Sequence, residues 1–177
     1  MSRTELVTIL AETEAVVNSR PLVYVDNDIN SGEPLTPGHF LSPNRKTGVP
    51  LIKEIPYDSG EASIKLVNIW KGHQKNLENF WKIWLSQYLQ AVRERSSLGM
   101  KPIKGENVRK PRVGEIVIVR EINQPRGRWK LGKIDSLIES DVDNQHRAAK
   151  VLLHSGELIK RPFRLIYPLE SNIGIEP

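Results

Sequence analysis

The sequence predicts an α+β protein: a helical N-terminal half followed by a small all-β module over about residues 113–169. Three observations carry this. Short apolar, β-branched runs separated by evenly spaced turn residues follow Val113. Apolar residues at helical spacing precede Gly99. Charge is also divided: residues 1–97 carry 11 Lys and Arg against 11 Asp and Glu, and residues 98–170 carry 15 against 9. A basic second half beside a neutral first half points to an anionic partner for one region only, ahead of the alternative of a merely solvated surface.

The totals bound the classes. One hundred and seventy-seven residues allow one domain or two small ones. The absence of cysteine excludes a disulfide framework, cysteine-based zinc sites and a thiol nucleophile. No apolar run reaches the roughly 18 residues a membrane span needs, and the N-terminus shows no basic stretch leading into an apolar core as a secretory signal would.

In chain order, Ser2 and Glu5 have capping-box spacing. Leu6, Ile9, Leu10, Val16 and Val17 then define a helix from about Thr4 to Ser19, which Pro21 stops. Leu22–Val25 reads as extended, and Thr36-Pro37 as the N-cap and first turn of a short helix carrying His39, Phe40 and Leu41. A long helix starts near Ser63. Trp70, Leu77 and Trp84 lie seven apart on it, as do Trp81 and Tyr88, and Gly72 is a candidate bend. Trp70, Leu77, Trp81, Trp84 and Tyr88 are therefore the candidate interface, packing on the first helix, the β module or another chain. Gly99 suits a left-handed C-cap. Residues 99–112 form a basic linker whose Lys101, Lys104, Arg109, Lys110 and Arg112 oppose only Glu106, so it either follows a phosphate backbone or is a solvated hinge.

Five strands are expected in the β module, at about Glu115–Glu121, Trp129–Ile138, Ala148–His154, Glu157–Arg161 and Arg164–Tyr167. Five short strands in some 55 residues fit a partly open SH3-like β-barrel, with Gly132 providing a bend that closure requires. Ser155-Gly156 fits a two-residue hairpin turn, with glycine supplying the positive φ. That register sets Lys150 opposite Arg161 and Val151 opposite Lys160. Opposed like charges cost up to about 1 kcal/mol, which an anion, or water and salt, would relieve. Lys150, Arg161 and Arg164, joined by Arg126, Arg128, Lys130, Lys133 and Lys160, are thus the candidate phosphate contacts.

Catalytic patterns are missing. Glu5, Glu12 and Glu14 share one helix with no paired Asp on a neighbouring strand, as two-metal phosphoryl transfer would need. There is no Gly-rich phosphate loop, GxSxG or HExxH. His39, His73, His146 and His154 are scattered. No enzyme activity, cofactor, metal or small-molecule substrate is expected.

The chain also resembles a known family. The helix over Leu6–Val17, followed by Asn18-Ser19-Arg20-Pro21-Leu22 and Glu33-Pro34-Leu35-Thr36-Pro37 with His39, Phe40 and Leu41, is similar to the end of the integrase core in Bel/Pao-type retrotransposon polyproteins. Phe80, Trp81, Trp84, Tyr88, Leu89, Val113, Gly114, Trp129, Leu131, Gly132, Gly156, Lys160, Arg161 and Pro162 look like the domain that follows it. The combination covers nearly the whole chain. It implies a remnant of an RNase H-like core at 1–60, a connecting helix at 61–98 and an SH3-like DNA-binding domain at 113–169. It also implies that the family's catalytic Asp, Asp and Glu precede Met1, so none maps here, and that the protein works in the nucleus. Two functional readings follow: largely sequence-independent DNA binding, or a protein-interaction module that self-associates or joins a complete integrase. A non-functional transposon remnant is the third alternative.

Overall fold

A computed structural model describes residues 2–25, 29, 32–42, 61–97, 110–122, 124–139 and 145–170. Helix α1 spans Arg3–Asn18 and opens on the expected capping box. The Glu5 N–H donates to Ser2 Oγ at 3.2 Å and the Ser2 N–H to Glu5 Oε2 at 2.7 Å. The chain then leaves through Ser19 and buried Pro21, and Val23 pairs with Leu35 in one antiparallel bridge. Helix α2, Pro37–Leu41, follows its N-cap Thr36.

Helix α3 runs unbroken from Glu61 to Ser97, so Gly72 does not interrupt it. Its 37 residues extend about 55 Å. Among the described residues, buried positions on it begin at Leu77 and continue through Trp81, Leu85, Leu89 and Val92, a stripe one helical turn apart. Val16 of α1 packs in the same cluster as Trp81 and Leu85. Arg126 touches Glu12 and Gln74 together, so α1 and α3 run in the same direction.

The second half forms one five-stranded antiparallel sheet: β1 Ile116–Val119, β2 Leu131–Glu139, β3 His146–Leu153, β4 Leu158–Pro162 and β5 Ile166–Pro168, in the order β4-β3-β2-β1-β5. The expected last strand at Arg164–Tyr167 is split. Phe163–Leu165 is a 3-10 turn, and β5 begins only at Ile166.

The four residues of β1 are all buried. Ile116 and Ile118 face the helices, in a core with Val16, Trp81, Leu85, Leu89, Tyr167 and Leu169. Val117 and Val119 face the other way, into a core with Ile134, Ala149, Val151 and Ile166. Each fully buried aliphatic side chain contributes about 1.5–3 kcal/mol. Ile159 of β4 packs on the same inner core as Ile166 of β5, so the sheet curls until its two edges share one core. Those edge strands do not pair, so the sheet is open and not a closed barrel.

Gly132 has a different role from the expected bend. A Cβ there would lie 2.2 Å from Val151 Cγ1 and 3.1 Å from the Leu152 carbonyl oxygen, so the side chain is absent because β3 crowds that position. The irregularity in β2 is instead a bulge at Asp135, where the register skips between Ile134 and Ser136.

Candidate nucleic-acid interface

The β3–β4 hairpin decides which cations share a face. Gly156 has φ +80°, and its N–H donates to the Leu153 carbonyl at 2.9 Å, while the Leu153 N–H donates to the Glu157 carbonyl at 2.9 Å. The loop is therefore His154-Ser155-Gly156, three residues ending on a left-handed glycine, not the two-residue turn expected. This shifts the register by one. Lys150 lies opposite Lys160, not Arg161, and Val151 lies opposite Ile159, not Lys160.

Directly paired residues point to the same side of a sheet. Ile134, Val151 and Ile159 therefore point into the inner core, and the row Ser136–Lys150–Lys160 crosses β2, β3 and β4 on the outer face. The adjacent outer row is Lys133–Leu152–Leu158. Helices cover this outer face only over β1, β5 and the start of β2. Lys150 and Lys160 are exposed, and Leu158 keeps 55% of its surface in solvent. Neither ammonium makes a hydrogen bond or ion pair among the described residues.

The other expected contacts scatter. Arg126 has a side chain only 13% exposed, 4.0 Å from Glu12 and hydrogen-bonded to Gln74. It is spent clamping the segment 124–130 to both helices. Lys130 hydrogen-bonds Glu121, and Arg161 approaches the same carboxylate at 3.5 Å. The Lys130 hydrogen bond, with Arg161 behind it, holds the Glu121 carboxyl below the usual carboxylate range. Arg128 is exposed on the 125–128 turn, and Arg164 is exposed on the 3-10 turn. Of the linker residues, Lys110 and Arg112 are exposed, the latter with its backbone N–H donating to Glu115 Oε2 at 2.9 Å. Lys101, Lys104 and Arg109 lie outside the described residues.

The tryptophan seam is taken up within the chain. Leu77 and Trp81 are 2% and 4% exposed. Trp84 stacks on Trp81 at 5.5 Å between ring centroids and on Tyr88 at 5.1 Å. Trp129, from the loop before β2, meets Trp81, Trp84 and Tyr88 edge-on at 5.4, 6.0 and 5.5 Å. Its indole N–H donates to Ser19 Oγ at 3.3 Å, and Ser19 Oγ donates to the Val16 carbonyl at 2.7 Å. Arg20 completes the link, with Nε donating to Glu170 at 3.1 Å. The Asn18-Ser19-Arg20-Pro21 stretch thus fastens α1 to the sheet layer. Burial, and next the nearby Glu170 carboxylate, keep the Tyr88 phenol protonated well above its ordinary range. Trp70 alone of the five stays open, at 40% exposure.

Two residues outside the expected set matter. Glu121 withdraws two cations from the surface. Arg93 reaches from α3 to the 3-10 turn, where Nη2 donates to the Arg164 carbonyl at 2.9 Å and its guanidinium lies 4.0 Å from the Tyr167 ring centroid. Among the described residues no helix is long and apolar enough to cross a membrane, and no cluster of three or more His, Asp or Glu could hold a metal.

A model of a protein family of unknown function, DUF5641, matches residues 68–169, more than half of the chain. No curated protein and no solved structure matches.

Proposed function

The chain belongs to this family of unknown function, and we propose that it binds duplex DNA on the outer face of β2–β4 without catalysing a reaction on it. The observation that carries the reading is the Lys150–Lys160 pair, directly opposed, exposed and without a carboxylate partner. Such a pair costs up to about 1 kcal/mol in the free protein, and a phosphate between the two ammonium groups reverses the sign. Ser136 in the same row and Lys133 in the next extend the contact. These groups suit phosphate oxygens, which position a duplex without reading it.

The strand order β4-β3-β2-β1-β5, with a 3-10 turn leading into β5, supports reading the module as SH3-like. The resemblance to Bel/Pao integrase C-terminal portions agrees with a non-catalytic, nuclear DNA-holding role. The test replaces Lys150 and Lys160 together by Glu and measures duplex affinity against salt. If about six phosphates are engaged, the wild-type log–log slope is about −5. The double variant should lose at least about tenfold in affinity and about two units of slope. Unchanged affinity and slope would sink the proposal.

A second reading, self-association, rests on a narrower surface than the tryptophan seam. Trp70 and Leu66 on α3, with Leu6, Val7 and Leu10 on α1, are exposed apolar residues toward the N-terminal ends of the two helices. Sedimentation of the wild type and of a Trp70→Ser variant tests it. A wild type that stays monomeric at high concentration rules it out.

A further inference from the structure

We infer that the solvent face of α3 is a second nucleic-acid contact, one that reads base edges in the major groove. This rests on the duplex-binding reading above and adds sequence preference to it. Lys75, Asn76, Asn79, Lys82, Ser86 and Gln87 are all exposed and recur three or four residues apart, opposite the stripe that buries Leu77, Trp81, Leu85 and Leu89. None of these six makes a hydrogen bond or ion pair among the described residues. The six comprise two lysines, three amides and one hydroxyl, and Glu78 at the border of the stripe makes no ion pair with Lys82 among the described residues.

The chemistry is that of base-edge recognition. Asn and Gln present a donor and an acceptor together, matching adenine. Lysine matches the two acceptors of guanine, and serine serves either. Ile83, 60% exposed within the stripe, offers the apolar contact that a thymine methyl takes. The stripe from Lys75 to Gln87 is about 18 Å long, and a helix about 10–12 Å across fits a groove about 12 Å wide. The sheet layer packs on the opposite side of α3, so this face is not blocked by it.

The test uses the full chain. A pool of random-sequence duplexes is selected for binding, and a preferred duplex is compared with its scrambled counterpart. Asn76→Ala/Asn79→Ala/Gln87→Ala should remove the preference, lowering affinity for the preferred duplex about tenfold or more while leaving the scrambled one unchanged. Lys75→Ala/Lys82→Ala should flatten the salt slope by about two units on both duplexes. A wild type that selects no sequence, or a triple variant that keeps the same preference, overturns the inference. Loss of binding in the Lys150/Lys160 variant would still uphold the sheet-face reading in either case. A wild type that binds no duplex overturns both.

Discussion

Trp129→Ala measures how firmly the helical and sheet layers are joined. The indole comes from the sheet half, yet its neighbours are Trp81, Trp84 and Tyr88 on α3 and Ser19 at the end of α1. Truncating a buried aromatic to alanine costs about 3–5 kcal/mol. Trp129 is only partly buried, so the lower end, about 3 kcal/mol, is the expected value. The three edge-on ring contacts supply much of it, at about 0.5–1.5 kcal/mol each. For a chain of this size the melting temperature should fall by about 6–12 °C. Urea unfolding read by far-UV circular dichroism gives the cost. The near-UV signal of the remaining tryptophans should lose its rigid-packing bands in the folded variant. A double-mutant cycle with Trp81→Leu should return a coupling of about 0.5–1.5 kcal/mol. A loss under about 1 kcal/mol with no coupling would refute the view that one core spans both layers. So would a wild-type transition in two separate steps, with helix and sheet signals melting apart.

Three further outcomes are expected. The Tyr88 phenol is held neutral when folded, with a folded pKa above its ordinary value near 10. Its contribution is fully present below that pH and lost above it, because the unfolded chain ionises there and the folded one does not. Stability measured against pH should fall above about 10, and Tyr88→Phe should reduce that fall. Glu121→Gln should free Lys130 and Arg161, steepening the salt slope of duplex binding by up to about two units. An identical slope would mean that those cations never reach DNA. Arg93→Met removes the hydrogen bonds to the Phe163, Arg164 and Ile166 carbonyls and the contact with Tyr167. It should cost at least about 2–3 kcal/mol in chemical denaturation, since the short charged hydrogen bond to Arg164 and the cation–π contact alone account for that much.

Much of this architecture was legible in the residues. The Ser2–Glu5 capping box places the start of α1, and the β-branched runs mark five strands within a residue or two, except at the 3-10 turn. The seven-residue spacing of large apolar residues foretells part of the buried stripe of α3, Leu77 and Trp81, while Trp70 in the same series stays open. Contacts between distant residues were not legible. Arg126 reads as one more surface cation because Glu12 and Gln74 lie far away in sequence, and only the folded arrangement brings them to it. The pairing of Lys150 turned on a loop that Ser155-Gly156 fits in two ways. A glycine at positive φ ends a three-residue loop as readily as it occupies a two-residue one. Gly132 reads in sequence as a bend, whereas its purpose is the clearance that Val151 demands. The amide stripe of α3 was present in the sequence as Asn76, Asn79 and Gln87 off the apolar positions. It became meaningful once the opposite face was seen to be occupied.

The tip of the β3–β4 hairpin is also a parity element. Closing the same residues on a two-residue loop at Ser155-Gly156, with His154 drawn opposite Glu157, would move β4 by one step against β3, and every side chain from Leu158 to Pro162 would trade surfaces. Arg161 would turn outward beside Lys150 and abandon Glu121. Lys160 would turn into the inner core, and Ile159 would leave it. No cation would be gained or lost, yet the charge map of the face would be rewritten from a site several residues away. Among relatives of this chain, the pair of residues that closes that tip should therefore predict which basic residues of β4 meet solvent better than the identities of those residues do.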